Sequence, residues 1–260
     1  MSWEIGWPPK LWGSAVQLFL WDDYPKSRPK PLGSGVLVQL ENWFFIFSAA
    51  HVIAEFKNKV IWAAHVSGDG NLKPLQGEMH FRLSGRVEMG SHQNDSIDAA
   101  VALLPTGSPD EFLSRAMEPS EFDTGRRLGE PRYLLLGLPA NRTDVDRRRK
   151  EILTERKPLI FSEVEDSVYA KMGYVKRTHL LLVWHSKWNS VAGRHAARNL
   201  AGSSGGGIWS FDLSSAAVPP QLVATFTEIP RRHGRKVIVG TRIHVHRNLG
   251  QLVIQDSAAH

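Results

Sequence analysis

Cysteine is absent from the 260 residues, so no disulfide framework can hold the chain and no thiolate can act as nucleophile or metal ligand. The same lack leans toward a reducing compartment or a bacterial source. Long apolar runs are missing too: none approaches the roughly 18 residues that span a bilayer. The opening stretch 1–9 has no basic segment followed by an apolar one of signal-peptide length. A cytoplasmic protein without a membrane partner is the expectation. Sustained helical periodicity is scarce, and there is no internal repeat and no low-complexity segment.

Acidic excess is likewise missing. Lys and Arg number 32 against 26 Asp and Glu, a formal net charge of +6. The pI is near 9.6. Much of the basic surplus sits in two clusters, 147–150 (RRRK) and 231–236 (RRHGRK). The first lies among Asp144, Asp146, Glu151 and Glu155, which partly cancel its field. The second separates two apolar runs, and a solvated hairpin tip accounts for it. Nucleic acid is therefore not expected as a partner.

What the chain does contain is short apolar runs rich in β-branched and aromatic residues. They fall at 35–40, 43–47, 60–64, 133–137, 180–184, 222–226 and 237–239, with turn residues between them. Such runs read as strands. The helix candidates are 109–113 and a final stretch near 251–254. Many strands without an alternating helical pattern indicate an all-β protein. The polar, Gly/Pro-punctuated segment 105–131 reads as a connector between two β-rich halves. We expect a single domain over 1–260, with an N-terminal β-barrel at 14–110 and a C-terminal one at 125–250.

Three segments carry the chemistry. In Gly202-Ser203-Ser204-Gly205-Gly206 the glycines permit a tight turn that leaves backbone N–H groups free to face a carbonyl oxygen. In Phe45-Ile46-Phe47-Ser48-Ala49-Ala50-His51 an apolar strand ends in small residues and a histidine follows. Asp98-Ala99-Ala100-Val101 places a carboxylate just before a buried strand. Taken singly, each has an ordinary structural explanation: a Gly/Ser loop, a structural histidine, a turn aspartate.

In type, order and approximate spacing the three segments resemble the trypsin-like serine peptidases, over roughly Gly33 to Ile243. The order His, Asp, Ser along the chain separates that family from subtilisins and α/β-hydrolases. The resemblance implies two six-stranded antiparallel β-barrels with the active site between them, and a serine endopeptidase with a protein or peptide as substrate. It implies Ser204 as nucleophile, His51 as general base and Asp98 as the group that orients it. The backbone N–H groups of Gly202 and Ser204 would form the oxyanion hole. Asp95 is a rival for the aspartate and Ser203 for the nucleophile.

No cofactor or metal is implied. The resemblance is to the bacterial type, because Ser203 stands where zymogen-activated trypsins carry an aspartate and no Ile-Val-Gly-Gly segment is present. Gly207 replaces the proline usual after Gly-Gly. Counting back from Ser204 puts Arg198 at the base of the specificity pocket, where it would favour an acidic side chain. Thr225 and Thr227 would lie along the pocket's edge strand.

Two other site readings fail. A Gly-x-Ser-x-Gly nucleophile elbow needs a helix after the serine, and strand-like residues follow instead. His244-Val245-His246, read as a strand, would put two rings on one face, but no Cys or carboxylate joins them as a metal ligand. The alternative from another class is a latent or partner-activated protease-fold binding module, for which an activating protein partner is expected.

Overall fold

The computed structural model describes residues 9–258 except 25, 57–58, 66–70, 76, 78, 85–96, 123–130, 138–142, 147–150, 155–158, 185–186, 191–192, 197–199, 201 and 213–218. Strands form where the apolar runs lie, and most of those runs are apolar on both faces for a reason visible in the packing. Side chains alternate across a strand. Val36, Val38, Phe45, Phe47, Val101 and Leu103 point into a core shared between two sheets. Their neighbours Leu37, Ile46, Ala100 and Ala102 point into the interior of the first sheet's own curl.

The first sheet comprises β1 (Ala15–Leu20), β2 (Lys30–Leu40), β3 (Trp43–Ser48), β4 (Ile61–His65), β5 (Lys73–Leu75), β6 (Phe81–Leu83) and β7 (Ala100–Leu103). Its order is β5-β4-β1-β2-β3-β7-β6, antiparallel throughout. It thus has seven strands where six are expected.

The second half holds β8 (Pro131–Leu136), a hairpin of β9 (Thr143–Asp146) and β10 (Glu151–Thr154), β11 (Leu159–Phe161) and β12 (His179–Val183). A hairpin of β13 (Lys187–Ser190) and β14 (Gly193–Ala196) follows, then β15 (Gly207–Asp212), β16 (Gln221–Glu228), β17 (Arg231–Arg232) and β18 (Arg235–Arg242). The second sheet runs β11-β8-β15-β16-β18-β12, with β17 paired to β18. It obeys the same two-sided logic. Leu134 and Leu136 join the shared core, while Tyr133 and Leu135 fill the second curl with Leu180, Leu182 and Phe226.

The helices are short: α1 (Pro9–Ser14), α2 (Ala50–Ala54), α3 (Asp110–Leu113) and α4 (Asp166–Met172), with one longer terminal helix, α5 (Ile243–Ala258). None among the described residues is long and apolar enough to cross a membrane. Helix α3 falls on its expected segment. Helix α5 instead begins at Ile243, well before the expected 251–254. Its buried residues Ile243, His246, Gly250 and Val253 follow the 3.6-residue period, but Ile243-His244-Val245-His246 imitates the two-residue alternation of a strand. In a helix, residues two apart face nearly opposite ways, so His246 is buried and His244 exposed.

The connector is built into the core. Met117 and Phe122 pack in the shared cluster and form parallel bridges to Val38 and Leu222, one in each sheet. Fully buried Trp209 on β15 sits in the same cluster and binds the halves together.

Candidate active site

The end of β3 in the first half lies against the loop before β15 of the second, where Ser48 meets Gly205. Ser48 ends β3, and the chain turns at once into α2, whose Ala50, Val52, Ile53 and Ala54 are buried. Small residues at 49 and 50 let this turn sit against the sheet and leave His51, the polar member of the helix, half-buried.

Asp98 reaches His51 twice. Its Oδ2 lies 2.8 Å from His51 Nδ1, and its Oδ1 accepts the His51 backbone N–H at 3.1 Å. A carboxylate only accepts, so Nδ1 carries the ring proton and Nε2 is the basic nitrogen of the neutral imidazole. Asp98 holds this pose with φ +48, a left-handed conformation that Asp tolerates better than most residues and that concentrates at functional sites. The second sheet holds the strained turn from behind, as Thr241 Oγ1 donates to the Ile97 carbonyl. Nothing in the sequence distinguished Thr241. The rival Asp95 lies outside the described residues.

The loop 202–206 is fastened to both halves. Ser34 N–H donates to Ser204 O at 2.7 Å, and Gly205 N–H donates to Phe226 O at 2.7 Å. Ser34 Oγ reaches Gly202 O at 3.2 Å, and Ser48 Oγ donates to Ser34 O at 2.7 Å. Such close passage requires glycine. At Gly205, with φ +85, a Cβ would strike Ser34 O and Ser48 Oγ. At Gly33 it would lie 2.9 Å from Ser204 O and 2.6 Å from Val52.

Within this loop the two serines differ in burial and in partner. Ser203 is buried beneath it, and its Oγ has no hydrogen-bond partner among the described residues. Ser204 is partly exposed, and its Oγ donates to Thr227 O at 3.0 Å. The backbone N–H groups of Gly202, at φ +88, and Ser204 have no acceptor among the described residues.

Of the expected pocket residues, Arg198 lies outside the described residues. Thr225 and Thr227 are both buried with their hydroxyls engaged internally. Thr227 Oγ1 donates to Val239 O at 3.1 Å, and Thr225 Oγ1 lies 3.0 Å from His246 Nε2. Nε2 also lies 2.9 Å from Ser48 O, so it carries the proton. The His246 ring stacks on Phe47 at 5.5 Å, and burial pushes its pKa down to about 4. The described residues contain no cluster of three or more groups suited to a metal.

No family model matches the chain, and no curated protein matches it. Solved structures do. The scabies mite inactivated protease paralogue S-I1 aligns over 95% of this chain and 97% of its own, at 14% identity and a TM-score of 0.55. A thermostable serine protease, AL20, from an extremophilic microorganism aligns over 90% and 93%, at 13% identity and a TM-score of 0.49. The likeness to the mite structure, together with the two curled antiparallel sheets, gives this chain the chymotrypsin-like two-barrel fold.

Proposed function

We propose that the protein is a serine endopeptidase that cleaves peptide bonds through an acyl-enzyme, with His51, Asp98 and Ser204 as its catalytic residues. The observation that carries this reading is the double contact of Asp98 with His51, which makes Nε2 the basic nitrogen of the ring, and it is supported by the partial exposure of Ser204. In the reaction the Ser204 proton passes to Nε2 while Oγ bonds the scissile carbonyl carbon. The C–N bond then breaks as His51 returns the proton to the leaving amine, and water cleaves the ester by the same route. The N–H groups of Gly202 and Ser204 stabilise the oxyanion.

The substrate is a protein or peptide, the expected compartment is the cytoplasm, and Arg198 remains the proposed base of the specificity pocket. A fluorophosphonate probe tests the assignment. Labelling of wild type and not of Ser204→Ala is the expected result; folded wild type that stays unlabelled under all conditions contradicts it.

One observation favours the second reading, a latent module switched on by a partner. The Ser204 hydroxyl donates to Thr227 O, so it must rotate before its proton can reach His51. Labelling that appears only on addition of cell extract would select this reading.

A further inference from the structure

The basic run 231–236 forms a tight hairpin. His233 and Gly234 have φ +49 and +72, the pair of left-handed residues that a type I′ turn requires. All six residues are exposed. Arg231 stands opposite Lys236 and Arg232 opposite Arg235, so like charges face each other across both rungs, an arrangement that costs stability. None of the four cations has an ion-pair partner among the described residues.

Their fastenings leave the charge intact. Arg232 donates to Met172 O at 3.1 Å and lies over the Tyr174 ring at 5.5 Å. Lys236 lies over Trp184 at 5.7 Å. Stacking on an aromatic face fixes a cation without neutralising it. The nearest acid along the chain, Glu228, accepts the Tyr174 hydroxyl at 2.7 Å.

The hairpin is the direct continuation of the strand that carries Thr227, whose carbonyl holds the Ser204 hydroxyl. Arg231 follows Thr227 by four residues, about 13 Å of extended chain at roughly 3.3 Å per residue. A peptide lying extended from Ser204 along this strand reaches the cations about four residues from its scissile bond. We infer that the 231–236 hairpin recognises acidic side chains of the polypeptide substrate at that distance; this rests on the endopeptidase reading. Nucleic acid fits less well, because the two aromatic rings beside the hairpin are already covered by Arg232 and Lys236, whereas single-strand readers offer open rings for base stacking.

The test uses peptides with one cleavable core and Glu, Ser or Lys at the third to sixth positions on either side of the cut. The double variant Arg231→Ser/Arg235→Ser is compared with wild type, since neither side chain is among those packed on the neighbouring rings. Wild type should show kcat/KM about tenfold higher for the acidic peptides than for the neutral ones, as two or three exposed ion pairs would give. That preference should shrink in added salt and fall to about threefold in the double variant, which keeps Arg232 and Lys236, with cleavage of the neutral peptide unchanged. Equal preference in both proteins, or none in wild type, overturns the inference.

If fluorophosphonate does not label wild type and no peptide is cleaved, the peptidase reading falls by itself. The hairpin is then judged by anisotropy of a fluorescein-tagged Glu-rich peptide on wild type. Binding that the double variant loses sustains acidic recognition. No binding, or tighter hairpin-dependent binding of a single-stranded oligonucleotide, overturns it.

Discussion

His246, on the C-terminal helix, hydrogen-bonds the carbonyl of Ser48 at 2.9 Å, three residues ahead of His51. The same nitrogen lies 3.0 Å from Thr225 Oγ1, two residues ahead of the Thr227 that holds Ser204. One buried ring thus ties together the supports of both halves of the candidate site.

This tie makes stability depend on pH. Burial lowers the folded-state pKa of His246 to about 4, against about 6.5 unfolded. Above pH 6.5 the ring is neutral in both states and costs nothing. As pH falls toward 4 the unfolded chain takes up a proton that the folded ring refuses, so stability is lost across that window. Urea unfolding at pH 7.5 and pH 5 should show wild type losing about 2 kcal/mol more than His246→Gln, whose amide does not titrate. Equal losses would refute the assignment.

Asp98→Asn separates orientation from folding. Asn accepts the left-handed backbone as Asp does, so unfolding free energy should change by less than about 1 kcal/mol. An amide that donates toward Nδ1 favours the wrong ring tautomer, and kcat should fall on the order of 10³–10⁴-fold with little change in KM. Retention of more than a tenth of the wild-type kcat would remove Asp98 from the mechanism.

Ser203→Ala and Ser204→Ala should part company. Removing the buried, unpartnered Ser203 hydroxyl relieves a desolvation cost and should stabilise the protein by about 1 kcal/mol, with probe labelling kept. Loss of labelling in Ser203→Ala would reopen the choice of nucleophile.

Gly205→Ala places a methyl against Ser34 O and Ser48 Oγ at φ +85. Backbone strain alone costs about 1–3 kcal/mol, and the clash adds to it. We expect a lower thermal midpoint together with loss of labelling, read by calorimetry and the fluorophosphonate probe. An unchanged midpoint would mean that the loop does not pass Ser34 this closely.

Much of the architecture was legible because local chemistry carries it. The runs at 35–40 and 43–47 are strand-formers wherever they are placed, and 233–234 suits a tight turn. The C-terminal helix was misread at its start because Ile243-His244-Val245-His246 alternates like a strand, and only contact with both sheets selects the helical set 243, 246, 250 and 253. Thr241 and Ser34 gave no signal for these contacts, and His246 stood out only as half of the His244-Val245-His246 pair. Each is an ordinary residue whose partner lies far along the chain, as Thr241 does from Ile97.

The sequence by itself determined the β-rich character, the glycine-flanked serines and the candidate histidine and aspartate, because these follow from residue type and short-range pattern. Tertiary structure alone decided which serine is buried and which partly exposed, that Asp98 and His51 touch at 2.8 Å across 47 positions, and that Ser204 rests on Thr227. Those relations depend on how two curled sheets close over a common core, which no local stretch of chain specifies.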